Sequence, residues 1–354
     1  MVQEPGISVL DDDDAPDPPP RPTKSRRAGL LVGILLGSML AVVSGLAAFY
    51  AGWLERTLTD VRRDDQAMPS EYPGRPADSP AKNTPLNVVV MGSDARDPNE
   101  PGRSDVLMIA HLTGARDKAY LISFPRDMWV EIPGHGKAKI NAAYSWGGSA
   151  LTIRTLESLT GTRMDHLAKV DFEGFVSLTD TLGGVTVFNK YASSRDGCTW
   201  PYGMITLKGQ CALTYVRQRY ELPNGDLDRA ERQRSVLKAM ILKIATPEIL
   251  SNPARFAELM DRLAPLIVFD AGLTNGQVRD VGMSLRLSGK NDIITCQAPI
   301  SGFSAAPDGQ SIDVVDAAQM AELSTALRGD SMAAYWAKYS SQSFDGLGQV
   351  PYPR

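Results

Sequence analysis

Between Ala28 and Trp53 the chain runs for 26 residues without a charged side chain, AGLLVGILLGSMLAVVSGLAAFYAGW. A helix of about 20 apolar residues spans the hydrocarbon core of a bilayer, so this run is long enough to cross one. It ends in Phe49, Tyr50 and Trp53, as an aromatic belt at a membrane interface does. Arg21, Lys24, Arg26 and Arg27 stand directly before it. Arg56, Arg62 and Arg63 follow it among Glu55, Asp60, Asp64 and Asp65. The positive-inside rule then puts the N-terminus in the cytoplasm and the rest of the chain outside. A cleaved signal peptide carries a shorter apolar core, roughly 7–15 residues, so an uncleaved single-pass anchor in the cell membrane is expected.

The flanks divide the chain further. Residues 1–27 hold six prolines and the acidic run Asp11 to Asp14, with almost no large apolar side chains. Such a segment buries too little to offset its ordering entropy, so a disordered cytoplasmic tail is expected. Residues 54–85 carry Pro69, Pro73, Pro76, Pro80 and Pro85 between polar residues and read as a semi-extended extracytoplasmic linker. Residues 86–354 suit one large domain, with a motif-bearing core at 86–245 and a helical part at 246–354. The 37 basic and 41 acidic residues give a net charge of −4, which argues against a nucleic-acid partner.

Within the domain, Leu86–Met91, Val106–Leu112 and Lys118–Phe124 are apolar runs of strand length. Ser149–Leu159 has helical period and stops at Gly161. Met164–Val170 reads as a strand, Phe172–Leu182 as a helix ended by Gly183-Gly184, and Val185–Phe188 as a strand. Leu227–Ile244 reads as a long amphipathic helix stopped by Thr246-Pro247. Ala254–Leu263, Ala317–Leu327 and Met332–Tyr339 read as further helices. Strands alternating with helices indicate a layered α/β domain.

The chemistry-bearing residues cluster between Gly92 and Arg234. Asp94 follows a buried strand and Asp105 enters the next, which is where α/β sheets place ligands. The two carboxylates can share a divalent cation or serve as ordinary turn and capping residues, and spacing alone leaves both readings open. Arg126 follows a rigid Pro125 at the end of the third strand. Tyr215-Val216-Arg217-Gln218-Arg219, if extended, puts Arg217 and Arg219 on one face. Arg229 and Gln233 are four apart on the following helix and share a face, with Asp226 at its start as a candidate N-cap. Five arginines and no lysine between Arg217 and Arg234 point to bidentate contact with an anion, phosphate above all. On the alternative reading this is a solvated helix face, with Arg232 and Arg234 its foremost members. The three histidines are far apart, so a carboxylate is the expected general base. No P-loop, nucleophile-elbow or dinucleotide fingerprint is present. Cys198 and Cys211 lie in a loop-rich stretch outside the membrane, where a disulfide is expected. Cys296 is the odd cysteine, expected to be buried, and His166 is read as a core or rim residue.

VVVMGSDAR at 88–96, GRSDVLMI at 102–109, ISFPRDMWVEIPG at 122–134, KINAAYSWGG at 139–148, VDFEGFVSLTDTLGGV at 170–185, LKGQCALTYVRQR at 207–219 and GDLDRAERQR at 225–234 occur in order. Together they resemble the LytR-CpsA-Psr family of cell-envelope proteins. The resemblance implies an α/β domain of three layers, a central mixed sheet between helices, preceded by one transmembrane helix. It implies a phosphotransferase that takes an anionic glycopolymer, of teichoic-acid or arabinogalactan type, from a polyprenyl-pyrophosphate carrier and joins it to peptidoglycan through a phosphodiester. Carried over by motif, Asp94 and Asp105 hold Mg²⁺, with Mn²⁺ as a substitute. Arg126, Arg217, Arg219 and Arg229 bind the pyrophosphate, helped by Arg103 and Gln233, and Asp226 orients Arg229. Asp105, ahead of Asp94, is the expected proton acceptor.

A lipid carrier needs an apolar groove. Phe172, Phe175, Leu182, Leu237 and Ile241 can line one, although residues at this helical spacing more commonly form a core. Two other activities share the arginine cluster: a non-catalytic polyprenyl-phosphate-binding regulator, and a polyprenyl-pyrophosphate pyrophosphatase.

Overall fold

The computed structural model describes residues 62–77, 84–93, 104–250 and 252–340. The chain separates into a unit at 1–53 and a unit at 54–354, and every described residue belongs to the second. The apolar run at 28–53 and the tail before it lie outside the described residues. Among the described residues, no helix is long and apolar enough to cross a membrane.

The strands are β1 Arg62–Asp64, β2 Leu86–Ser93, β3 Ser104–Leu112, β4 Ala119–Ser123, β5 Trp129–Ile132, β6 Gly136–Lys139, β7 His166–Asp171, β8 Val185–Asn189, β9 Ser193–Arg195, β10 Cys198–Trp200, β11 Gly203–Leu207, β12 Val268–Asp270, β13 Ile293–Gln297, β14 Ile300–Ala305 and β15 Ser311–Val315. The helices are α1 Ala142–Thr160, α2 Phe172–Thr181, α3 Gly209–Arg217, α4 Asp226–Ile244, α5 Pro247–Leu250, α6 Pro253–Leu263, α7 Asn275–Ser284, α8 Ala317–Arg328 and α9 Met332–Tyr339.

Seven strands form one mixed sheet in the order β1-β12-β7-β2-β3-β4-β13. The pairs β2–β3, β3–β4 and β12–β7 are antiparallel, whereas β7–β2, β4–β13 and β1–β12 are parallel. The strand period of two explains why these segments read as apolar runs. In β4, Tyr120 and Ile122 join one core, and Ala119 and Leu121 join another on the opposite face. The first core holds Ile153 and Leu156 of α1, Leu323 and Leu327 of α8 and Tyr335 of α9. The second face is covered by α2, α3 and α4, whose Leu178, Leu213, Val236 and Met240 form a further cluster over the β8–β11 hairpin. Helices on both faces of a mixed sheet give the three layers expected.

Several expectations are corrected. The Pro-rich segment is not a spacer where it is described. Arg62–Asp64 adds an edge strand to the sheet, Ala67 is fully buried in the first core, and Arg75 meets the buried Glu157 at 3.0 Å. The tail beyond Pro247 is not purely helical, because β13 closes one sheet edge and β14–β15 form a hairpin. Helix α1 starts seven residues ahead of the expected Ser149. Gly147 and Gly148 kink it, Gly148 at φ +61°, so its regular periodicity begins only after the kink.

At the open end of β2 and β3, Gly92 pairs with Val106 and Ser93 with Ser104, which leaves Asp105 as the extra residue of a bulge. A Cβ at Gly92 would lie 2.9 Å from the Val106 side chain, so glycine is what lets these two strands close here.

Candidate functional site

Helix α4 is polar along most of its first half, yet Asp226, Arg229, Arg232, Gln233 and Arg234 are all buried. Each side chain has a separate task. Arg234 donates from Nη1 to Ser123 Oγ at 2.5 Å, which pins the helix to the end of β4. Gln233 donates from Nε2 to the Val216 carbonyl at 3.1 Å and so closes the end of α3. Arg232 donates to Gln218 Oε1 at 2.8 Å, to Ser193 Oγ at 2.9 Å and to the Tyr191 carbonyl at 3.1 Å, with its guanidinium 4.1 Å from the Tyr215 ring centroid. The reading of Arg232 and Arg234 as a solvated face is therefore overturned. The helix lies between the sheet and the loops after α3, and both arginines find buried acceptors there.

Asp226 is the first residue of α4, not its N-cap; Gly225, at φ +50°, holds that position. The buried Asp226 carboxylate sits 2.5 Å from Arg229 Nη2 and 3.5 Å from Arg126 Nε, so one carboxylate holds two guanidinium groups. Burial pushes its pKa up, and the charges of Arg229 and Arg126 pull it back. The backbone of Arg126 is fixed by the Asn141 N–H, which donates to its carbonyl at 3.2 Å. The β5–β6 hairpin that follows returns Lys139 to within 3.0 Å of Asp127. Asp127 is thus ion-paired.

Arg126, Arg217, Arg219 and Arg229 border one polar cleft of about 380 Å³. Arg217 ends helix α3, and Arg219 follows in a loop. The extended conformation expected for 215–219 is not formed, but both guanidinium groups still reach this cleft. Arg217 also borders an adjacent apolar cleft of about 110 Å³, where its guanidinium carbon lies 4.2 Å from the Phe172 ring centroid. Leu213 is the other residue common to both. Phe172, Phe175 and Leu237 line the apolar cleft, with Gln233 at its wall. Leu182 and Ile241 do not. Leu182 is buried with Val185 and Val187, and Ile241 packs toward Ala119 and Ile293, which is the core reading of that spacing.

Asp94 and Arg103 lie outside the described residues, as does the side chain of Asp105. Their described neighbours Ser93 and Ser104 are paired across β2 and β3. Tyr144 of α1 donates to Ser93 Oγ at 3.3 Å beside this end. Among the described residues there is no group of three or more His, Cys, Asp or Glu side chains able to hold a metal.

Asp313 of β15 is the site residue that the sequence did not disclose. Its backbone N–H donates to the Asp127 carbonyl at 2.9 Å, and the residue is buried beside that loop. Burial, together with the charges of Asp127 and Asp226, pushes its pKa up to about 7 against the pull of Lys139 and Arg126. Cys198 and Cys211 are joined in a disulfide. Cys296 is a buried thiol, pushed up to about 12 by desolvation. His166 is a rim residue held by Asp270 at 3.2 Å, away from the arginines.

The sequence profile of the LytR_cpsA_psr family matches residues 55–329. The polyisoprenyl-teichoic acid–peptidoglycan teichoic acid transferase TagU of Enterococcus faecalis is 33% identical over 231 residues, 63% of this chain and 73% of that protein. The same-named protein of Bacillus cereus is 34% identical over 251 residues, 70% of this chain and 79% of its own length. That of Bacillus subtilis is 38% identical over 179 residues, which span 57% of its length. Among solved structures, B. subtilis TagV superposes with a TM-score of 0.61 at 25% identity, covering 71% of this chain and 99% of TagV. B. subtilis TagU gives 0.53 at 28% identity, covering 70% and 96%. The extent of the profile match, and relatives above 30% identity matched over more than two thirds of their length, establish that this chain belongs to the LytR-CpsA-Psr family.

Proposed function

We propose that the domain transfers an anionic glycopolymer from a polyprenyl-pyrophosphate carrier to peptidoglycan, forming a phosphodiester, with residues 28–53 as its membrane anchor and the domain outside the cell. The observation that carries this reading is the adjacency of two unlike clefts, one apolar and one lined by four arginines, with Arg217 in both. A ligand that fits both has an apolar chain joined directly to a multiply charged head, and a polyprenyl pyrophosphate is such a molecule. The transferase names of the relatives support the same reading.

In the reaction, an acceptor hydroxyl oxygen attacks the phosphorus that bears the glycan. The bond from that phosphorus to the bridging oxygen breaks, and polyprenyl phosphate leaves. Phosphoryl transfer of this kind is governed by positioning and charge stabilisation. Arg126, Arg217, Arg219 and Arg229 orient the pyrophosphate and spread the charge that develops on the bridging oxygen. Asp226 holds Arg229 and Arg126 in register for that task. Asp105, ahead of Asp94, accepts the proton of the attacking hydroxyl. Two carboxylates on adjacent strand ends are hard oxygen donors that suit Mg²⁺ or Mn²⁺, so Asp94 and Asp105 would hold the ion. When bound, it would supply charge neutralisation on phosphate oxygens. Arg103 adds a further cation at that loop.

Full-length protein in detergent is given a short-chain polyprenyl-pyrophosphate donor, Mg²⁺ and a peptidoglycan fragment, and products are read by mass spectrometry. Glycan phosphate on the fragment is the expected result. Tight lipid binding without transfer would identify a regulator, and delivery of the glycan phosphate to water a pyrophosphatase.

A further inference from the structure

Arg195 and Asp196 also border the polar cleft, although neither belongs to the segments that supply the four arginines. They sit at the tip of the β9–β10 hairpin, where Arg195 pairs with Cys198 across the turn Asp196-Gly197. Asp196 has φ +50° and Gly197 φ +80°, the left-handed pair that a two-residue turn needs and that Asp-Gly supplies. The tip is fastened in two places. The Cys198–Cys211 disulfide ties it to the first turn of α3, and Arg232 holds its root at Tyr191 and Ser193. A surface hairpin secured in this way presents its tip residues at a fixed position.

What the tip presents is one flank of an exposed ring. Tyr220, 62% exposed, has the Arg219 guanidinium carbon 5.0 Å and the Arg195 guanidinium carbon 5.9 Å from its ring centroid. Arg219 donates to Tyr220 Oη at 2.9 Å, which sets the ring's orientation. The ion pair of Arg195 is with its own neighbour Asp196 at 3.5 Å, with both side chains largely solvated. Such an exposed pair contributes little and exchanges readily for a better anion.

An aromatic face packs against the C–H face of a sugar ring, and a guanidinium fork matches a phosphodiester. Four arginines already serve the pyrophosphate, so Arg195 and Tyr220 are available to the part of the donor beyond it.

We propose that Arg195 and Tyr220 form a recognition subsite for the phosphate-bearing sugar chain that extends from the pyrophosphate, so that the hairpin selects which polymer is transferred. The subsite rests on the proposed function for its place in the reaction, and a binding measurement keeps the two separable. Two donors are compared with the full-length protein, identical through the first sugar. One is extended by three glycerol-phosphate units and the other by a neutral oligosaccharide of similar length. The wild type is expected to favour the phosphate-bearing donor by about tenfold in kcat/KM. Arg195→Ala is expected to remove most of that preference through KM, and Tyr220→Ala part of it. Arg195→Lys, which keeps the charge and loses the fork, should restore it only partly. In parallel, a free tri(glycerol phosphate), without lipid or pyrophosphate, is titrated by calorimetry. Binding to the wild type that Arg195→Ala weakens at least tenfold supports the subsite even if no transfer is seen. Equal loss with both donors would assign Arg195 to the pyrophosphate site and overturn the proposal, as would a wild type that shows neither preference nor binding.

Discussion

The Arg217 guanidinium lies 4.2 Å from the centre of the Phe172 ring, so a charged group and an aromatic face meet where the two clefts join. The ring offers its negative face to the cation, and the cation in turn presents N–H donors to the polar side. Arg217→Ala is expected to lower kcat/KM for a lipid-pyrophosphate donor by about 10²–10³, the usual cost of losing one charge-stabilising donor. Phe172→Leu keeps an apolar wall and removes the ring, and its effect should fall mainly on KM. Steady-state kinetics with both variants separates the two contributions.

Asp226 is a buried carboxylate holding two arginines, and removing its charge takes the 2.5 Å partner from Arg229, while Arg126 keeps Asp127 at 3.8 Å. Breaking one partner of a buried ion pair typically costs about 3–5 kcal/mol. Asp226→Asn should lower the melting temperature by several degrees and depress activity together. A double variant with Arg229→Met should recover stability but not activity. Calorimetry and the transfer assay test both halves.

Asp313 gives the fold a pH dependence. Its carboxyl keeps its proton up to about pH 7 in the folded state. In the unfolded chain it releases that proton near its ordinary value of roughly 4. Between those values the folded state binds more protons, so stability falls as pH rises through the window and levels off above it. Asp313→Asn should remove that component. Urea midpoints at pH 5 and pH 8 should then differ less in the variant than in the wild type, and an equal difference in both proteins would refute this account.

The Cys198–Cys211 bridge closes a loop with a sequence separation of 13. A loop of about 15 residues contributes about 3 kcal/mol in the chain-entropy account. Reduction, or Cys198→Ser with Cys211→Ser, should lower the unfolding midpoint accordingly. The preference between the two donors should weaken at the same time, because the hairpin tip loses its fixed position. Denaturant titrations with and without reductant read the first effect.

Chelation of divalent ions should abolish transfer, and either Mg²⁺ or Mn²⁺ should restore it. Asp94→Ala and Asp105→Ala should each raise the metal concentration needed for half-maximal activity at least tenfold. A variant of either aspartate that keeps the wild-type metal requirement would remove it from the proposed ligand set.

Much of the scaffold could be read from the chain because its strands are buried on both faces. LNVVVM and KAYLIS are continuous apolar runs, and such runs leave few alternatives. Arg217, Arg219 and Arg229 were legible as part of one arginine-rich run from residue type and spacing, whereas Arg126 joined them only through the family's motifs. Three things were not. The polar character of α4 suggested solvent, yet Arg232 and Arg234 point into protein, because hydropathy records a side chain's polarity and not whether a buried acceptor awaits it. Proline content suggested a spacer at 54–85, although Arg75 and Tyr72 converge on the buried Glu157, a long-range meeting that no local pattern encodes. Asp313 sits on a short strand whose burial comes from the loop after β4, distant in sequence, so nothing nearby marks its carboxyl as unusual.

The root of the β9–β10 hairpin and the segment bearing Gln218 are both held by the one guanidinium of Arg232. The hairpin therefore has an anchored root, and its tip residues 195–197, tied down through the disulfide beside them, are exposed. Exchange of residues 195–197 leaves the contacts of Arg232 in place, whereas a change at Arg232 would disturb the hairpin root and the Gln218 segment at once. On the proposed function, grafting other tips onto this root is a way to change which polymer is accepted.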